Sequence, residues 1–127
     1  YEARGFTPHM AHCHCSMCRK FHGAAFATFG EVRAEDFNWI SGESDLNAYH
    51  ADNGTTRRFC QHCGSSMVFE SSQADGSVVE VALGTLDTPI PNRPDASIFV
   101  ASKADWYLMS DHLPSHPAAR LNTDIEE

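Results

Sequence analysis

Positive charge is scarce in this chain of 127 residues: nine Lys and Arg stand against seventeen Asp and Glu, a net charge of −8 with histidine neutral. Proteins that neutralise nucleic-acid phosphates or settle on anionic lipid need the opposite balance, so neither is expected as a partner. Long apolar runs are also missing, with nothing approaching the ~20 residues of a membrane-crossing helix. No charged segment followed by an apolar one opens the chain in the manner of a secretion leader, and a cytoplasmic protein is expected. Repeats and low-complexity tracts are absent. So is an initial Met: the chain opens on Tyr1-Glu2-Ala3-Arg4-Gly5-Phe6, which reads as the end of a strand, with further residues expected upstream.

What is present is an ordinary globular composition, 42% hydrophobic and 20% charged, with eight Phe, three Tyr and two Trp for a core. The length suits a single domain over residues 1–127. Alternation from His9 to Cys15 predicts a strand with Cys13 and Cys15 on one face and His12 and His14 on the other. Ser16 is the expected cap of a helical turn, SMCRKFH, stopped by Gly23. Strands are then expected at Ala25–Phe29, Phe37–Ile40, Leu46–His50, Thr55–Cys60, Met67–Glu70, Val78–Leu83 and Ile98–Ala101, spaced like a meander. Pro89, Pro91 and Pro94 mark a loop. Further helical turns are expected near Lys103 to Tyr107, and a loosely packed polar tail from His116. The fold class is mostly β with short helical turns. Phe21, Phe26, Phe29, Trp39, Phe59, Phe69, Phe99 and Trp106 are the expected core aromatics, with Phe21 or Trp106 also able to wall a cleft.

Five cysteines carry the strongest signal. An odd count in tight groups does not suit a disulfide framework; Cys13-x-Cys15-x-x-Cys18 and Cys60-x-x-Cys63-Gly64 instead suit shared metal, zinc above all, in a reducing compartment. Cys13, Cys15 and Cys18 offer three sulfurs on one short segment. The fourth position is either closed by another side chain, Cys60 or Cys63 being available, or open to a ligand. Cys60 and Cys63 form a zinc knuckle in which Gly64 permits a left-handed turn. A redox role for that pair lacks the expected βαβ setting.

The segments HCHCSMCRK with FHG, TTRRFCQHCGSSM, VALGTLD and SIFVASKADWYLMSDHLP resemble the glutathione-dependent formaldehyde-activating enzymes, a family that includes centromere protein V-like proteins. The likeness runs from Tyr1 to about Pro114 and implies a β-tent fold, two packed coiled antiparallel sheets stabilised by zinc. It implies two zinc ions. Cys13, Cys15 and Cys18 match the ligands of the active-site ion, and Cys60 and Cys63 match half of the structural site. The family's N-terminal CxCG pair is absent here, because the chain begins where the family's first strand ends.

Zinc held by three thiolates carries one net negative charge, so its bound water is less acidic than at a histidine-rich site and a hydrolase is the less natural outcome. The soft ligand set suits exchange of the fourth position with a thiol. Glutathione meets that need and the resemblance points the same way, towards a carbon–sulfur lyase acting on S-hydroxymethylglutathione. The rival expectation is a non-catalytic carrier of thiol adducts or a zinc-stabilised scaffold. Arg19, Lys20, Arg57, Arg58 and Lys103 are candidate carboxylate contacts, or else solvated or acid-paired charges. His22 and His62 lie near the clusters and could serve as acid–base or supporting groups, while His12 and His14 are not expected as ligands. No catalytic base stands out.

Overall fold

Val78–Ala82 is an apolar run broken only by Glu80, and apolar residues recur in Ala27–Arg33, a pattern that suits the centre of a sheet. In a computed structural model, which describes residues 1–120, they are the strands β8 (Val78–Ala82) and β3 (Ala27–Arg33). The others are β1 (Glu2–Ala3), β2 (Met10–Cys13), β4 (Phe37–Asn38), β5 (Leu46–His50), β6 (Thr56–Cys60), β7 (Ser66–Glu70) and β9 (Ala96–Ile98), with one α-helix, α1 (Ser16–His22). Two sheets form, a pair β1-β4 and a seven-stranded sheet ordered β5-β6-β7-β8-β3-β2-β9.

The chain is therefore mostly β, as expected, but two details differ. The larger sheet is not wholly antiparallel: β9 runs parallel to β2, with Ala11 beside Ala96 and Cys13 beside Ile98. The loop holding Pro89, Pro91 and Pro94 carries the chain from the middle of the sheet to its far edge, and so sets that direction. The tail also departs from expectation up to residue 120. Ser97 donates its N–H to Pro114 O at 2.9 Å, His116 to Ser97 O at 2.8 Å and Phe99 to Ala118 O at 3.0 Å, so this polar stretch is stitched along β9. The rest of the expected loose tail lies outside the described residues.

Register assigns each face its task. Val68, Val81, Gly30 and Met10 stand in one row across β7, β8, β3 and β2. Val81 is fully buried and Met10 nearly so, each such side chain contributing about 1.5–3 kcal/mol. Gly30 is needed in that row because a Cβ there would lie 2.7 Å from the Phe6 ring. The opposite face carries a second row, Arg57, Phe69, Glu80 and Glu31, across β6, β7, β8 and β3. Trp106, an expected core residue, is 69% exposed, because the chain around it forms a surface turn rather than a packed element.

Candidate metal centre

Cys13 reaches the site from the last position of β2, whose hydrogen bonding continues one residue further as His14 N–H donates to Ile98 O at 3.0 Å. The strand ends there, two residues short of the expected end, because Cys15 turns into α1. Cys15, not Ser16, is the N-cap: its Sγ accepts the Cys18 N–H at 3.3 Å. The cap thereby places Cys18 one turn away, on the same side as Cys15. Gly23, left-handed at φ 60°, closes the helix as its lack of a Cβ allows.

The three Sγ atoms lie within 4.8 Å of one another. Sulfurs held 2.3 Å from a tetrahedral zinc are about 3.8 Å apart, so the donor set and its spacing fit that ion. Cys13 and Cys18 are buried with Ala27, and Phe29, Ile98 and Phe99 pack around them. Phe99 takes a left-handed backbone, φ 55°, which costs a non-glycine residue about 1 kcal/mol. Hydrogen bonds from Cys13 and Cys18 to the Cys15 sulfur hold that thiol far below its ordinary pKa, and the same contact with Cys15, joined by burial, pushes Cys13 up. Cys15 is thus the thiol of the cluster that deprotonates most readily, and a cation that replaces the shared protons would favour deprotonation of the others.

Arg57 supplies part of that positive charge. It is 3% exposed and sends both terminal nitrogens to Cys18 Sγ at 3.5 Å. Its guanidinium stacks on Phe69 at 4.9 Å and Phe21 at 5.6 Å from the ring centroids. Its Nε has no partner among the described residues, a costly arrangement that the sulfur contact must offset. A cavity of about 460 Å³ opens over the cluster, lined by all three cysteines together with Phe29, Phe69 and Glu80. A second, of about 430 Å³, shares Met17 and Arg57 with it and adds Lys20, Tyr49 and Phe59.

Cys60 and Cys63 stand apart, at the end of β6. The amides of Cys63 and His62 point at the Cys60 sulfur and lower its pKa. Gly64, at φ 78°, brings its N–H back to Cys60 O at 2.8 Å. Among the described residues no further Cys, His, Asp or Glu joins the pair, and neither cysteine joins the Cys13/Cys15/Cys18 group. His62 is engaged with Asp45 at 3.1 Å.

The remaining charged and histidine residues fall mostly to structural tasks. Arg58 pairs with Glu70 at 2.8 Å, Arg19 donates to Ser102 O, and Lys103 donates to the carbonyls of Ala104 and Tyr107. His12 and His14 both pack on Phe26, on the side of β2 away from Cys13. His22 lies between Phe21 and Phe29, and burial lowers its pKa. Glu80 and Arg120 are cavity residues that the sequence did not mark, and a lone acid in the apolar run VVEVA was the only hint of the first.

These features define a mostly-β protein built around a trithiol cluster able to hold a metal ion. A crystal structure of a Rhodobacter sphaeroides protein shares the fold, with a TM-score of 0.53 and 23% identity over 72% of this chain and 79% of that one. The family model for glutathione-dependent formaldehyde-activating enzyme matches residues 1–102, and the chain belongs to that family. Comparison with curated proteins gives no match. No helix among the described residues is long and apolar enough to cross a membrane.

Proposed function

We propose that this protein is a zinc-dependent carbon–sulfur lyase that cleaves and forms an adduct between a small thiol, glutathione or a relative of it, and an aldehyde such as formaldehyde. One observation carries the proposal: three cysteines converge on one cavity, and among the described residues no fourth cysteine, histidine or carboxylate closes their group. Cys13, Cys15 and Cys18 would hold the ion and leave one position for an incoming sulfur. Zinc bound there would supply a soft cation that keeps a thiol deprotonated yet nucleophilic. The chain's own groups do the rest. Arg57 offsets the negative charge of a three-thiolate centre, and Phe29 and Phe69 line the cavity with apolar surface that limits water. The adjoining cavity, with Lys20 and Arg57, offers cationic surface to the carboxylates of a glutathione-like substrate, which a net charge of −8 would otherwise repel.

Cys60 and Cys63 are proposed as half of a structural zinc site. All of residues 1–127 would then form one domain, and five free cysteines suit a reducing compartment such as the cytoplasm.

The test is NMR exchange between formaldehyde plus glutathione and their adduct, with and without zinc-loaded protein. Acceleration above buffer is expected. Tight thiol binding without acceleration would mean a carrier, and neither binding nor exchange would leave a scaffold.

A further inference from the structure

We propose that Glu80 is the proton donor and acceptor for carbon–sulfur bond making and breaking in the cysteine cavity, with Glu31 as its positioning partner; this rests on the lyase reading above. Glu80 lines the same cavity as Cys13, Cys15 and Cys18. It stands in the row Arg57, Phe69, Glu80, Glu31, so its side chain rises from the same sheet face as the guanidinium that meets Cys18. Glu31 is its direct cross-strand neighbour on β3 and accepts a hydrogen bond from Thr7 Oγ1 at 2.9 Å, which holds its carboxyl in place. A like charge directly opposite disfavours the charged form of Glu80.

Most other charged groups near Glu80 are engaged elsewhere. Arg57, beyond Phe69, is directed at Cys18; Arg120, across the cavity, pairs with Asp95 at 2.8 Å and donates to Met10 O. Glu70 on β7 is paired with Arg58, Arg33 ends β3 opposite Val78, and His9 lies at the cavity edge. Burial first, and then the charge of Glu31, raise Glu80 to a pKa of about 7. A carboxyl in that range is half protonated at neutral pH and can act in either direction.

The chemistry balances without further reagents. In the forward direction the thiolate sulfur forms a bond to the carbonyl carbon, and the C=O π pair moves onto oxygen. Glu80 gives that oxygen its proton, and the resulting carboxylate takes the proton of the next thiol to enter. In reverse, Glu80 removes the hydroxyl proton, the C=O bond re-forms and the C–S pair leaves on sulfur.

The experiment follows adduct exchange by NMR against pH for zinc-loaded wild type, Glu80→Gln and Glu31→Gln, together with zinc content and glutathione affinity. The wild-type rate should show an ionisation near pH 7. Glu80→Gln should lose that ionisation and slow exchange about 100-fold while keeping zinc and thiol binding. Glu31→Gln should keep the ionisation but move it to lower pH, a displacement also visible in the 13C carboxyl titration of Glu80 without turnover. Wild-type exchange matched by Glu80→Gln, or a Glu80 titration unmoved by Glu31→Gln, overturns the assignment. Because Glu31→Gln keeps Glu80 in place, it decides the matter even if Glu80→Gln fails to fold. Absence of exchange by zinc-loaded wild type overturns the lyase reading itself, which is a different result.

Discussion

Arg57 and Cys18, 39 residues apart in sequence, meet with both terminal guanidinium nitrogens 3.5 Å from one sulfur. The contact joins the sheet to the helix that carries the cysteines, and it puts a permanent cation against a group that metal binding requires to be an anion.

Arg57→Met should therefore lower zinc affinity at Cys13, Cys15 and Cys18 by about 10–100-fold, the usual scale for losing a group that supports a ligand. Arg57→Lys should recover only part, since a point charge cannot match the stacked fork between Phe21 and Phe69. Competition with a chromophoric chelator measures both, and equal affinity in all three proteins would refute the role given to the guanidinium.

Cys15→Ser should abolish zinc binding at the trithiol cluster, because it removes one of the three sulfurs, while the serine hydroxyl can still cap the Cys18 N–H. Cys63→Ser, at an exposed position outside the group, should leave that ion in place. Zinc-edge absorption spectra of the two variants report the sulfur count directly, and loss of the trithiol signal in Cys63→Ser would contradict the separation of the two clusters.

Glu80 predicts a pH effect on stability. Its folded pKa, about 7, lies above the ordinary 4.5, so the folded state binds this proton more tightly than the unfolded chain. The stabilising contribution is complete below pH 4.5 and is lost as pH rises towards 7. The full shift corresponds to about 3 kcal/mol, but the carboxyl is partly solvated and about 1–2 kcal/mol is expected. Urea unfolding of metal-free wild type and Glu80→Gln at pH 5 and pH 8 should show the variant gaining on wild type at the higher pH. A constant difference would show that burial of the carboxyl has no energetic consequence.

Gly30→Ala should destabilise the fold by about 1–3 kcal/mol, since its Cβ would sit 2.7 Å from Phe6 Cδ1 and 2.9 Å from Leu83 Cδ2. The readout is the urea midpoint. Pairing it with Phe6→Leu should recover part of the loss, and no loss in the single variant would mean that the ring moves aside freely.

Short-range features were legible in the sequence. The cysteine spacing pointed to a shared site, Gly23 and Gly64 marked turns that are indeed left-handed, and Leu46–His50 is a strand at the expected bounds. Where a side chain's own chemistry competed with its neighbours, reading failed: the sulfur of Cys15 took the cap from Ser16. Long-range partners were illegible because they depend on register. Nothing in TTRRFC says that Arg57 faces a thiol while Arg58 faces Glu70, and nothing in VVEVA says that its acid meets Glu31. The parallel β9 escaped for a related reason, as local pattern carries no information on strand direction.

That parallel pairing orders events in time as well as space. Ile98 is synthesised 85 residues after Cys13, the cysteine it pairs with, so a nascent chain emerging from the ribosome exposes its thiols long before the wall beside them exists. Contacts this distant in sequence form late. A cell making this protein would thus face a window in which the thiols are open to oxidation or to the wrong ion, and that window closes only once β9 has joined the sheet.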